Sequence, residues 1–539
     1  MKKIYGLAAL AAAMTLASCS NDNEPNVVSN DLTGVGYFKV NIKNPGVATK
    51  ASHNNFVIGE DAENKAEKAT FVFFDGSGNY MGIAKDVALD EVDKEASGNI
   101  EEKNTKIVEF TRKADKTNED VKKVIAILNP TSAINSAVEN QSESAILALP
   151  MAEYGSATSG SFIMTNSVYQ SEETGKPMVY AQDCAGAIYN DYITAATATA
   201  KDIYVERVVA RVDGTLATDF GTFKKEGDDL KMGAQVKVDG ELTNVNVVPQ
   251  GYEIHNAATV SHLIKNVDGF DTTAPFTGWS VAGNFRSHWA NTSSLAANQY
   301  AHFKYKDIKT PAAANTNVSF TKYVQENTNE KANPILLMTA QLQTTDGTPL
   351  KLVQLLNNGL YYTEDNAKDA LLSLLQTLGY QVKTETGTRD LDGDDLDWVA
   401  NGVHDYDGYL GYAKDDSGKN IIGDADIVDK DGKAVENFEE SVLKAQCGAY
   451  KWTDGKCYYY VDVKNGDEAT DQKGIVRNHI YSINLNSVVG LGTPVFDPDN
   501  KTITPEKPED PTPDSSKWYF NCTINILSWV SYTQNVNFD

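Results

Sequence analysis

The chain has 539 residues, long for one domain and enough for two or three units that each bury a core. Its net charge of −26 comes from 74 acidic against 48 basic residues, an excess that repels nucleic-acid phosphates and anionic lipid and so excludes nucleic acid as a partner. Five cysteines are too few for a disulfide scaffold at this length, and beyond the first twenty residues no stretch is long and apolar enough to span a membrane.

The first element is an export signal. Lys2 and Lys3 are followed by an apolar run from Leu7 to Ala17, shorter than the roughly 20 residues of a spanning helix. Leu16-Ala17-Ser18-Cys19 then places small residues before a cysteine. This ending resembles the bacterial lipobox, which implies acylation of Cys19 and cleavage before it; the alternative is an ordinary secretory signal with a chance cysteine. Membrane attachment then rests on the precursor lipid alone. Ser20 to Leu32 is polar and rich in asparagine, a tether.

Tyr37-Phe38-Lys39-Val40-Asn41-Ile42 is predicted to be the first strand, with Phe38, Val40 and Ile42 on one face. Asn44-Pro45-Gly46 ends it, and the small, polar stretch Val47 to His53 offers Lys50 to a trypsin-like protease that cuts before Ala51. Five lysines against Asp22, Glu24 and Asp31 give residues 1–50 a charge of +2, so the cut product carries −28.

Short strands follow. Thr70 to Phe74 runs into Asp75-Gly76-Ser77-Gly78-Asn79, a strand followed by turn chemistry, and Val124 to Leu128 is stopped by Asn129-Pro130. Tyr204 to Val212 and Cys457 to Val463 are further strands. Ile480 to Ser487 sets Tyr481, Ile483 and Leu485 against Ser482, Asn484 and Asn486, a strand with one wet face. The best helix is Ala367 to Leu378, with Ala367, Ala370, Leu371, Leu374, Leu375 and Leu378 on its apolar face and Gly379 placed to end it. A tight turn at Asp454-Gly455 sets Cys457 opposite Trp452, with Cys447 five positions further along, which predicts no disulfide between the two cysteines. These elements predict a mainly β chain of two β-sandwich-like domains with a few short helices, divided near Asp213.

From Pro494 to Ser516 the chain carries Asp497-Pro498-Asp499 and Pro505, Pro508, Pro511 and Pro513, which predicts an extended spacer at ~3.1 Å per residue. After it, Trp518, Phe520, Cys522, Ile524, Ile526 and Leu527 form the strongest β pattern in the chain, and Trp529, Val530, Tyr532, Val536 and Phe538 continue it. Tyr519-Phe520-Asn521-Cys522-Thr523-Ile524 repeats the pattern of Tyr37 to Ile42, so both can fill the same groove, although two six-residue strands also look alike by chance. Cutting after Lys50 would vacate the first strand's slot, and a neighbour's C-terminal strand would fill it by β-augmentation. Six to eight apolar side chains at ~1.5–3 kcal/mol each make the gross gain on the order of 10–20 kcal/mol before ordering costs. Repeated head to tail, that contact builds an open filament.

No enzyme signature emerges: the seven histidines show no His-Glu-x-x-His pairing, there is no Gly-x-Ser-x-Gly elbow, and no phosphate-cradling glycine loop follows a strand. No catalytic residue, metal ligand or cofactor is therefore assigned. Asp390-Leu391-Asp392-Gly393-Asp394-Asp395-Leu396-Asp397 looks like a calcium loop, but the positions that need Gly and Glu hold Asp395 and Asn401, and a solvated acidic loop is the better reading. The same holds for Asp424, Asp426, Asp429 and Asp431. Tyr361, Tyr362 and Trp289 suit a sugar surface, or more ordinarily a core.

Taken in order, the lipobox, the basic site after a first strand, Val124 to Pro130, Val205-Glu206-Arg207-x-x-Ala210-Arg211, Val476-Arg477-Asn478-x-Ile480-Tyr481-x-Ile483, the Asp/Pro spacer and Ile526-Leu527-Ser528-Trp529 resemble the Bacteroidales fimbrillins, or type V pilins, and most closely the shaft subunit of their minor, short fimbriae. The resemblance implies two transthyretin-like β-sandwich domains and a C-terminal donor strand. It also implies export as a lipoprotein to the outer membrane, maturation by a trypsin-like protease, and assembly with identical subunits and with accessory tip and anchor subunits into a surface fimbria that supports adhesion. The division this suggests is a signal peptide at 1–18, a propeptide at 19–50, domains at 51–212 and 213–493, a spacer at 494–516 and a donor strand at 517–539. The best-known members are cut after Arg, where this chain has Lys50. The alternative is a lipid-anchored or tip-located protein that binds glycan or host protein and does not polymerise.

Overall fold

The computed structural model describes residues 32–45, 59–89, 100–113, 115–156, 159–171, 177–269, 286–287, 289–308, 320–402, 404–464, 474–505 and 520–527. Among them the fold is mainly β, as expected. The N-terminal strands are β1 (Leu32–Pro45), β2 (Lys68–Phe74), β3 (Tyr80–Ala88), β4 (Ile100–Lys113), β5 (Lys123–Leu128), β6 (Met164–Asn166), β7 (Ile188–Tyr189) and β8 (Lys201–Arg207), with helices α1 (Ser132–Val138), α2 (Glu143–Leu147) and α3 (Tyr192–Thr197). They are joined in the order β5-β2-β3-β4-β1-β8-β6, and β6 pairs again with β5 through Met164 and Thr165, so the sheet closes into a ring.

The ring closes because its strands have two apolar faces or one, as their positions demand. In β2, Phe71 and Phe73 point to the ring's interior with Phe38, Val40, Val108 and Phe110, while Val72 and Phe74 pack outside against Ile134 and Val138 of α1 and Ile146 of α2. β-branched and aromatic residues suit such a doubly covered strand. Asp75 ends β2 by accepting from the backbone N–H of Ser77 and Asn79, both at 2.9 Å.

The strand expected from Tyr204 to Val212 is two strands. β8 belongs to the ring, and after the buried Val208 the chain enters β9 (Val209–Leu216) of a second sheet. The chain therefore changes sheet at Val208, five residues before Asp213, and side chains from beyond that point pack against the ring. Leu263, Ile264 and Val267, which follow β11 in the chain, pack with Val72, Ile125 and Ile127 of the ring.

The remaining strands are β10 (Ala234–Val238), β11 (Glu241–His255), β12 (Phe320–Gln325), β13 (Ile335–Thr344), β14 (Leu352–Leu355), β15 (Tyr361–Thr363), β16 (Leu396–Ala400), β17 (Asp407–Tyr412), β18 (Gly448–Trp452), β19 (Lys456–Asp462), β20 (Ile480–Val488), β21 (Thr493–Pro494) and β22 (Phe520–Leu527). The second sheet runs β12-β9-β20-β22, and a third runs β16-β17-β18-β14-β15-β10-β11-β13-β19-β21. β18 and β19 were expected to form a hairpin. They are separated in the third sheet by five strands although only Thr453, Asp454 and Gly455 lie between them, so the sheet curls until its distant strands meet around Trp452, Cys457, Tyr459, Met338 and Val247. Trp452 pairs with Leu352 instead of Cys457, and Cys447 and Cys457 are both buried free thiols, as is Cys184.

Helix α4 (Glu364–Thr377) buries Ala367, Leu371, Leu372 and Leu375 over β14 and β17. It ends at Gly379 (φ +83°), with Gly379 N–H donating to Gln376 O and Tyr380 N–H to Leu375 O. Leu378, expected on the apolar face, is exposed. Pro494 to Pro505 departs from the extended spacer. Pro494 pairs with Cys457 in β21, and Val495, Phe496 and Ile503 are buried, three apolar side chains whose burial outweighs the stiffness of the prolines around them. Residues 506–516 lie outside the described residues.

Candidate assembly site

β1 is an interior strand. On one side it pairs antiparallel with β4, Phe38 opposite Val108 and Ile42 opposite Asn104. On the other it pairs antiparallel with β7 at Tyr37 and Phe38, then parallel with β8, Val40 opposite Lys201 and Ile42 opposite Ile203. Phe38 and Val40 are fully buried. The Phe38 ring meets Phe73 edge to face at 5.9 Å, and Phe73 stacks on Phe110 at 3.8 Å. The outward residues tie β1 to α3: Tyr37 lies edge-on to Tyr192, and Lys39 Nζ donates to Ala196 O at 2.9 Å and Ala198 O at 3.1 Å, a cation on the carbonyl end of a short helix.

Two expected strand residues are thus placed inside the ring, and Ile42 is placed by its backbone pairs. Sequence reasoning missed Gly36, Phe110 and Lys39, because what they do depends on neighbours that are distant in the chain. Cys19, Lys50, Ala51, Trp518, Trp529, Val530, Tyr532, Val536 and Phe538 lie outside the described residues. Of the C-terminal strand, the stretch holding Phe520, Cys522, Ile524, Ile526 and Leu527 is β22. It pairs antiparallel with β20 of the same chain, Phe520 opposite Val488 and Leu527 opposite Ile480.

The two motifs around Glu206 and Arg477 meet in a buried polar joint beside the slot. Glu206, at the end of β8, takes a hydrogen bond from Lys265 Nζ at 2.8 Å, and Lys265 also donates to Ser287 O. Arg477 donates to Glu326 through Nε at 2.9 Å and Nη2, and to Leu263 O, Ser261 Oγ and His262 O. Arg207 donates to Glu63 O, Asn64 Oδ1 and Asn478 Oδ1. Burial raises the Glu206 carboxyl above its ordinary range and pulls the Lys265 ammonium below its own. Burial also opposes ionisation of Glu326, but the two-point Arg477 guanidinium outweighs it and holds this carboxyl low.

Burial, with His302 adding a smaller push, brings His255 down to about 4. The unfolded chain binds a proton at this histidine below pH ~6.5 and the folded chain does not until about 4, so the folded state loses ground as pH falls through that window. His255→Phe is expected to gain about 1.4 kcal/mol on the wild type for each pH unit between 6.5 and 4.5. Denaturant unfolding of both proteins at several pH values reads this, and a constant difference would overturn it.

The acidic loop is organised by an arginine. Arg389 grips Asp395 with two hydrogen bonds of 2.6 Å, and although burial raises the Asp395 carboxyl, these bonds hold it below its ordinary range. Asp424 accepts from Tyr412 Oη at 2.7 Å. Tyr361 packs beside Trp452, Tyr362 on the α4 cluster and Trp289 on the cluster outside the ring, which is the core role.

Residues 450–535, which span β18 to β22, match the family model described as major fimbrial subunit protein type IV, fimbrillin, C-terminal. The matched residues include both β20 and the strand β22 that lies on it. No curated protein matches the chain. Among solved structures it is similar to a candidate cell adhesion protein from Parabacteroides distasonis, with 13% identity, 93% of this chain and 98% of that one covered and a TM-score of 0.41. It is also similar to the tip fimbrial protein Mfa3 from Porphyromonas gingivalis with C-terminal truncation (11% identity, 84% and 95% covered, TM-score 0.29) and to the fimbrial anchor protein Mfa2 from the same organism (8%, 58% and 80%, 0.22).

Proposed function

We propose that this chain is a structural subunit of a cell-surface fimbria, exported as a lipoprotein acylated at Cys19, cut between Lys50 and Ala51, and polymerised by strand exchange. Its neighbours are identical subunits, with tip and anchor subunits at the ends of the filament. The observation that carries this reading is the placement of β1. An interior strand that closes a ring is joined to the rest of its ring only through the segment that holds Lys50. Its loss would bare β4 on one side and β7 and β8 on the other, together with the sites of Phe38 and Val40. A C-terminal strand of the same side-chain pattern is the replacement. The fimbrillin match over residues 450–535 supports the class of protein.

The deciding measurement is the N-terminal residue and intact mass of the protein taken from the cell surface. A chain starting at Ala51 without lipid is expected; one starting at acylated Cys19 would overturn the polymer reading. A second reading, an anchored surface or tip protein that binds glycan or host protein without polymerising, is favoured by the pairing of β22 with β20 of its own chain. The same measurement separates the two.

A further inference from the structure

We infer that residues 496–504 form a strap that stays docked on the third sheet when subunits join, with Asp405 positioning its two ends, so that the leash of the donor strand is rooted at Thr504 and not at Pro494. The inference rests on the strand-exchange reading and adds to it where the leash begins and how far it reaches.

The strap leaves β21 and turns back on itself. Asp497 makes the turn: its carboxylate accepts from the backbone N–H of Asp499 at 3.2 Å and of Asn500 at 3.1 Å, and its carbonyl from Lys501 N–H at 3.2 Å. The two ends meet at Asp405, which is buried. The Asp405 carbonyl accepts from Phe496 N–H at 3.1 Å. Its carboxylate accepts from Thr504 N–H at 3.3 Å, from Thr504 Oγ1 at 3.5 Å and from Tyr458 Oη of β19 at 3.5 Å. Both limbs of the strap are seated on the body. Phe496 O accepts from Thr453 Oγ1 at 2.7 Å, Pro498 O from Lys306 N–H at 3.2 Å, and Ile503 N–H donates to Phe303 O at 2.8 Å. Ile503 packs with Tyr305, Ile308, Leu337 and Tyr458, and the Phe496 ring lies against Gly408 of β17, where a Cβ would overlap it.

Peeling the strap would bare Phe496 and Ile503 and leave the buried Asp405 carboxylate without its Thr504 donors. What peeling would give in return is length. Residues 506–519 separate Pro505 from β22 and span at most roughly 50 Å when fully extended, and drawing out residues 497–504 would add roughly 28 Å. Nothing repays the lost contacts while a neighbour's slot lies within the shorter reach. The inference therefore places the receiving slot of a second copy within roughly 50 Å of Pro505.

Lys304 and Thr502 face each other across an antiparallel bridge, a placement that suits a disulfide. In the chain cut after Lys50, Lys304→Cys with Thr502→Cys locks the strap when oxidised and frees it when reduced, with the bond confirmed by peptide mapping. The locked chain is expected to form fibres as the reduced chain does. Deletions of growing size within residues 506–517 are expected to stop fibre growth at the same size in both states. Adding Asp405→Ala is expected to let the reduced chain tolerate deletions up to about eight residues larger, because its strap can be drawn out, and oxidation is expected to cancel that tolerance. Thr504→Pro, which removes both donors and leaves Asp405 in place, is expected to do the same if Asp405→Ala does not fold. Fibres from the whole-leash chain only when reduced, or a deletion limit that moves on reduction with Asp405 and Thr504 unchanged, would overturn the docked strap. So would locked fibres that survive loss of all of residues 506–517. A limit that reduction does not move in either variant would overturn the role of Asp405. Absence of fibres from the whole-leash chain in both states would overturn strand exchange, and the inference with it.

Discussion

A chain ending at Lys517 is expected to remain a soluble monomer under conditions where the full chain, cut after Lys50, forms fibres. β22 is the outermost strand of its sheet, and β20 keeps its parallel partner β9 without it, so the truncated chain retains its ring and its curled third sheet. What it loses is the strand it would give away. It can still receive one, because the β1 slot is untouched. Mixed into full-length protein it is therefore expected to stop growth at one end and shorten the fibres as its share rises. Electron microscopy and size-exclusion chromatography read both effects, and fibres of normal length from the truncated chain alone would sink the strand-exchange reading.

The second large effect lies in the polar joint. Arg477 and Glu326 are both fully buried, and Arg477→Met removes the cation while leaving the carboxylate without water. Breaking one side of a buried pair costs about 3–5 kcal/mol, mostly the desolvation of the charge left behind. The double change Arg477→Met with Glu326→Gln removes that charge, keeps an acceptor for Ser261 Oγ and is expected to recover most of the loss. Denaturant midpoints of the single and double variants test this, and a single variant as stable as the wild type would show that the joint contributes little.

The elements that were legible in the sequence are those whose shape depends on near neighbours. Tyr481, Ile483 and Leu485 are fully buried in β20 and alternate with less buried residues, and α4 ends at Gly379 as its periodicity predicts. Strand partners were not legible, because periodicity says which face is apolar and nothing about what lies beside it. Asp454-Gly455 does turn the chain, with φ of 53° and 75°, yet its two flanks join distant strands of one sheet. Proline density predicted an extended run from Pro494, but Val495, Phe496 and Ile503 have a core to enter that local composition does not reveal. At the candidate site the pattern of Phe38 and Val40 was readable, whereas the close approach of Phe110 to Gly36 was not, since Phe110 is brought there by the pairing of β1 with β4.

The parallel pairing of β1 with β8 sets Val40 beside Lys201, roughly 160 residues further along the chain. Such a contact carries a large loop-closure penalty and forms late when a protein folds. A segment that is synthesised early thus completes its sheet only after β8 has emerged, and until then the half-built ring holds an unpaired edge. Helpers that bind extended segments during export would find their target in that interval, and a slower supply of β8 would lengthen it.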